Sequence, residues 1–126
     1  MRIETSTKIV LMFAATALAF TIADAATTYV AVSNGLVEVN PIIASDIASY
    51  GLVSALLITV SYPVLASIVC VSGTTICNRI IMGPSIDLSM SKRKSLKLFI
   101  SIMTAFLLTV VILIRGWAVC NNIGVI

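Results

Sequence analysis

Three long apolar runs limit what this chain can fold into. They cover residues 9–32, 52–77 and 98–119, and each is broken by at most one charge, Asp24 in the first and Arg115 in the third. About 20 consecutive apolar residues span the hydrocarbon core of a bilayer as a helix. A spanning strand needs only about 10 residues with alternating polarity, and these runs are too long and too continuous for that. Composition agrees: 60% of the 126 residues are apolar and 10% are charged, against about 45–50% and about 25% in soluble domains. One small soluble domain has too much surface to hide that much apolar side chain. The expected fold is an all-α integral membrane protein, a single helical domain over 1–126 with three transmembrane helices at about 9–32, 52–77 and 98–119.

The joints between the runs are legible. Ser33-Asn34-Gly35 ends the first helix, with Gly35 available for a left-handed cap. Asn40-Pro41 reads as a helix start, with Asn as N-cap and Pro at the first helical position. An unbroken helix from Pro41 to Met82 would be about 60 Å long, twice the thickness of a bilayer core. A bend, a strong tilt or a short interfacial helix at 41–49 is therefore expected, with Gly51 and Pro63 as the break points. Gly83-Pro84 terminates the element, and 85–91 forms the second connection.

Lys and Arg counts beside each span set the orientation. Arg2 and Lys8 flank the first span. The connection over 33–48 has no base and carries Glu38 and Asp46. Arg79, Lys92, Arg93, Lys94 and Lys97 surround the second connection, and nothing basic follows Trp117. This predicts a multi-pass protein of the cell membrane with its N-terminus inside and its C-terminus outside, Tyr29 and Trp117 lying near the outer interface. A competing reading takes residues 1–25 as a secretory leader: a basic start, an apolar middle and Ala23-Asp24-Ala25 as the cleavage site.

Several function classes are disfavoured. The chain has no histidine, so the commonest general base and metal ligand is missing. Cys70, Cys77 and Cys120 form no Cys-x-x-Cys pair and cannot by themselves make a four-ligand zinc site. No metal or other cofactor is expected. Aromatic residues are 6% of the chain and do not alternate with the bases, which argues against a nucleic-acid partner.

Asp24 is the sharpest feature. An acid at bilayer depth costs about 2.5–3.5 kcal/mol on insertion scales, so it must be protonated, hydrated or paired. Thr27 and Thr28 follow on the same helix face, and their hydroxyls are expected to donate to the carboxylate. Ala14, Ala17, Thr21, Asp24, Thr28 and Ala31 form a stripe of small side chains that lets helices approach closely. Asp24 lies about 24 Å along a helix from Lys8, and Arg115 about 27 Å along one from Lys97. Their matched depth predicts an intramembrane cluster of Asp24, Thr27, Thr28 and Arg115. A polar clasp between helices competes with an ion or proton site at Asp24, and Arg115 could instead snorkel outward beside Trp117 or meet another chain.

Ala44, Ala48, Gly51, Ala55, Thr59, Tyr62 and Ala66 form a second small-residue stripe, expected to face the first helix. Pro63 removes the backbone donor for the Thr59 carbonyl, and Ser61 or Thr59 itself is expected to satisfy that turn. Lys92, Arg93, Lys94 and Lys97 are candidates for contact with anionic lipid, or they only fix topology. In the outer connection, Gly35, Glu38, Asn40 and Pro41 form a turn that serves recognition or simply caps a helix.

The run Asp24-Ala-Ala-Thr27-Thr28, then Gly35, then Glu38-Val-Asn40-Pro41 resembles the signature of an uncharacterised prokaryotic family of small integral membrane proteins, a domain of unknown function. That family shows Asp-x-x-Thr-Thr, a Gly and Glu-x-Asn-Pro across its first helical hairpin. The resemblance covers about 18 residues and implies a small helical membrane protein with the Asp and the Asn-Pro turn near one face of the membrane. It implies no activity and does not extend to Arg115 or the basic cluster.

The function expected from these features is non-catalytic: an accessory or structural subunit that packs against itself or against larger membrane subunits, with the lipid bilayer as its other partner. The alternative is a pore-forming, holin-like or small ion-transport oligomer. A pore needs a continuous polar stripe, whereas the polar residues here gather around Asp24 and Arg115.

Overall fold

The computed structural model describes residues 5–84 and 88–125. It is all-helical, with α1 over Thr5–Ser33, α2 over Pro41–Tyr50, α3 over Leu52–Met82 and α4 over Met90–Val125. Three of these helices are long and apolar enough to cross a membrane, and α2 is the short helix expected before the second span. The chain is thus a small multi-pass membrane protein. Arg2 and part of the second connection, residues 85–87, lie outside the described residues.

The joints form by local chemistry. Gly35 takes a positive φ of 86°. Its N–H donates to the Val32 carbonyl, and the Leu36 N–H donates to Ala31, which closes α1 with a Schellman turn. The Asn40 side chain accepts from the Ile42 N–H at 3.0 Å, and Pro41 occupies the first turn of α2. Gly51 separates α2 from α3 with φ 80° and ψ 160°, a region open essentially to glycine alone. Pro63 stays inside α3, so of the two break points only Gly51 divides the element. At the far end, Arg93 donates to the Gly83 carbonyl through Nη1 (2.8 Å) and to Leu88 through Nε (2.9 Å). It thereby ties the end of α3 to the start of α4.

α1 packs against both α3 and α4, while α2 packs on α3. The buried face of α1 is Val10, Ala14, Ala17, Thr21, Asp24, Thr28 and Ala31. These positions alternate in steps of four and three, the 3.5-residue period that suits a left-handed crossing. They include the whole stripe read from the sequence. Val10 and Ala14 close against Leu108 of α4 and against Cys70 and Val71 of α3. α4 therefore runs parallel to α1, and α3 runs antiparallel to both. All three cysteines are free thiols.

One expectation needs correction. The second small-residue stripe is buried only in part: Ala55 is enclosed, but Ala48, Gly51, Tyr62 and Ala66 are exposed. The buried face of α3 is Ala55, Leu56, Pro63, Ser67, Thr74, Asn78 and Ile81. Within α3 the buried positions lie one residue later than the stripe, at Pro63 and Ser67 rather than Tyr62 and Ala66, a rotation of about 100° around the helix. α4 is 36 residues long, or about 54 Å, so the helix continues past the apolar 98–119 at both ends. Hydropathy marks the part that sits in lipid. Helix continues on either side because Lys, Arg and Leu are good helix formers and no proline lies between Met90 and Val125.

Gly51 and Gly73 separate backbone cost from packing cost, since a Cβ would meet nothing within 4 Å at either. Gly51→Ala is expected to destabilise by about 1–3 kcal/mol through its backbone conformation alone. Gly73→Ala, inside α3, should be neutral or stabilise by up to about 1 kcal/mol. Thermal unfolding of the two variants in detergent checks the pair.

Candidate functional site: a polar cluster joining three helices

The cluster is built by Asp24, Thr27 and Thr28 from the last third of α1 and by Arg115 and Asn122 from the last third of α4. Asp24 lies on the buried stripe of α1, so the packing that buries Ala17 and Thr21 also carries its carboxylate inward. Arg115 lies on α4 about three helical turns short of the helix end, with Asn122 seven residues further along the same face. Arg115 Nη1 donates to Asp24 Oδ2 at 2.6 Å, with the two side chains 17% and 5% exposed. A charge-assisted bond of this length, removed from water, is much stronger than a surface ion pair.

Arg115 does more than pair with the acid. Its Nη2 points at the Thr59 carbonyl of α3 at 3.4 Å. Thr59 is the residue whose intrahelical donor is deleted by Pro63. The arginine thus sits where a proline-freed carbonyl needs a donor. Ser61 spends its hydroxyl on Ile58 instead, at 2.7 Å. The turn is therefore answered from α4, and the expectation that Ser61 or Thr59 would satisfy it does not hold.

The second donor to the carboxylate is also not the one expected. Neither Thr27 nor Thr28 bonds to it. The Thr27 hydroxyl donates back to its own helix, at 3.0 Å from the carbonyls of Ala23 and Asp24. Asn122 takes the role: its Nδ2 lies 3.0 Å from Thr28 Oγ1, 3.1 Å from Thr27 Oγ1 and 3.4 Å from Asp24 Oδ1. A helical threonine has a carbonyl of the preceding turn always within reach, and that local acceptor wins here as it does at Thr16, Thr21, Thr75, Thr104 and Thr109. Asn122 was missed because apolar character fades after Val119. The seven-residue step from Arg115 was the available signal.

The residues of the α1–α2 connection meet the same cluster. Glu38 Oε1 accepts from the Asn40 backbone N–H at 2.8 Å, so Glu38 braces the residue that caps α2. Glu38, Asn40 and Pro41 then wall a cavity of about 490 Å³ whose other side is Asp24, Thr28, Arg115 and Trp117. Gly35 shapes the turn but is not part of the wall. Ala23-Asp24-Ala25 lies in the unbroken body of α1.

At the opposite end of the bundle, Lys92 and Lys94 are exposed, as are Lys8 and Arg79. Arg93 is turned onto the Gly83–Leu88 connection, and Lys97 is buried. The four bases grouped by sequence thus fall into two exposed and two inward-turned side chains. Among the described residues no group of three or more Cys, Asp or Glu side chains converges in a way that could hold a metal ion.

No known family, curated protein or solved structure matches the chain.

Breaking the pair from one side leaves the survivor uncompensated in low dielectric, which costs about 3–5 kcal/mol in buried pairs. Asp24→Asn and Arg115→Leu should each lower thermal stability in detergent, and Arg115→Leu should cost more because it also orphans the Thr59 carbonyl. The double variant should recover part of the loss, with a coupling of about 1–3 kcal/mol in the cycle. Asn122→Ala should cost less than either, about 1 kcal/mol, since it removes neutral donors only.

Proposed function

We propose that this chain is a non-catalytic accessory subunit of a membrane complex, packing against copies of itself or against larger membrane proteins. The observation that carries the reading is that the acid and the base inside its spans are spent on each other, while the buried Ser67, Thr74, Asn78 and Ser101 side chains of α3 and α4 are uncharged. Asp24 is taken by Arg115 and Asn122, and Arg115 also answers Thr59. Below that cluster the helices close on Val10, Ala14 and Leu108. A single copy built this way favours holding a shape over passing ions. It also presents broad apolar faces on α3 and α4, including Leu57, Leu65, Phe99 and Phe106.

The orientation belongs to the same proposal. Lys8, Arg79, Lys92 and Lys94 share one end of the bundle, and the positive-inside rule puts that end in the cytoplasm. There Lys92 and Lys94 are free to meet anionic headgroups, at about 1 kcal/mol each. Glu38 and the Trp117 ring then lie toward the outside.

Mass determination in mild detergent, combined with crosslinking in membranes, tests the role. The expected result is species larger than the 13.3 kDa chain and no ion flux from reconstituted vesicles. A strict monomer, or a flux that rises with protein content, would overturn it. Orientation is read by labelling in a background without the native cysteines: Val37→Cys should react only from outside and Ser91→Cys only from inside.

A further inference from the structure

The cavity beside the ion pair adjoins a second one, and the two share part of their walls. The larger, about 490 Å³, lies between the α1–α2 connection and α4. The smaller, about 320 Å³, runs between α3 and α4 past Tyr62, Pro63, Ala66 and Val111. Asn40, Ile114 and Arg115 belong to both walls. The two form one bent groove with a polar head and an apolar tail. Both volumes fall in the range of small-molecule sites, and the tail opens on a membrane-spanning face where lipid is the solvent. An occupant must therefore be amphiphilic.

Charge selects among amphiphiles. Asp24 and Arg115 compensate each other, which leaves Glu38 as the uncompensated charge of the head. Its Oε1 is engaged by the Asn40 N–H, and a carboxylate has further lone pairs to offer. The Trp117 ring, 69% exposed, flanks the same space and adds an aromatic face that attracts cations. On the inner side, Arg115 has N–H groups beyond those given to Asp24 and Thr59, and the Asn121 amide lines the wall with it. An amine placed at Glu38 and Trp117, with a phosphate at Arg115 and Asn121, satisfies both ends. A purely anionic headgroup would face Glu38 unpaired.

We propose that this groove is a binding site for an amine-bearing zwitterionic phospholipid of the phosphatidylethanolamine type, with the headgroup between Glu38 and Arg115 and an acyl chain along Pro63 and Ala66. The site is independent of whether the protein serves as an accessory subunit, because it lies within one chain.

The test uses the full-length protein, delipidated in detergent. Phosphatidylethanolamine and phosphatidylglycerol with identical acyl chains are titrated separately, and binding is read by native mass spectrometry and by thermal shift. Phosphatidylethanolamine should bind about tenfold more tightly. Glu38→Gln keeps an acceptor for the Asn40 N–H but removes the charge, and should erase most of that preference without lowering the lipid-free melting temperature. Ala66→Trp fills the tail and should weaken both lipids alike. Equal binding of the two lipids by the unaltered protein would overturn the proposal, and so would a preference that survives Glu38→Gln. If Ala66→Trp changes only self-association and leaves lipid binding intact, the groove is a protein contact and the lipid assignment falls.

Discussion

The bond between Asp24 and Arg115 is the constraint on which the rest of this bundle depends. Small residues along α1 permit close approach but do not choose a register, since alanine packs nearly as well against one turn of a neighbour as against the next. A carboxylate in low dielectric does choose. One heptad of sliding would set Asp24 against Leu108 rather than Arg115, at the full cost of an unpaired charge. The pair thus converts a permissive surface into a single arrangement, in the way one polar position fixes the alignment of a coiled coil.

The same arginine links a defect in one helix to a charge in another. Pro63 deletes a donor, and a membrane offers no water to replace it. The guanidinium supplies one from outside α3 while keeping its stronger bond to α1. Three helices therefore meet at a single side chain, and the geometry fits arginine rather than lysine: a planar fork serves two acceptors in different directions. Asn122 extends the arrangement by about two further turns and joins the hydroxyls of Thr27 and Thr28 to the carboxylate.

Much of this was readable in advance because it follows from burial and charge, which are properties of residue types. The spans, the short helix before Gly51, the α1 stripe and the depth match of Asp24 with Arg115 all rest on spacing along a helix. What was not readable depends on choices between nearby partners. Thr27 has an acceptor on its own helix that spacing to Asp24 does not reveal. The α3 face was misplaced by one position because small size alone does not decide which side of a helix turns inward: Pro63 and Ser67 are buried, and Tyr62 and Ala66 are exposed. Asn122 lay beyond the point where hydropathy fades, although helix geometry carries on. Hydropathy reports the solvent around a segment, and hydrogen bonding decides where the helix ends.

The partners in the ion pair are 91 residues apart in the chain, and this separation bears on how the protein is made. Helices enter a membrane in order of synthesis. At about 5–20 residues per second, roughly 5–18 s pass between translation of Asp24 and of Arg115. During that interval α1 and then α3 are in place while the acid has no arginine and the Thr59 carbonyl has no donor. The nascent hairpin is thus a waiting state, its polar groups dependent on water, lipid headgroups or the insertion machinery. Arrival of α4 quenches both at once, so of the three long helices the one made after the other two is the one that commits them.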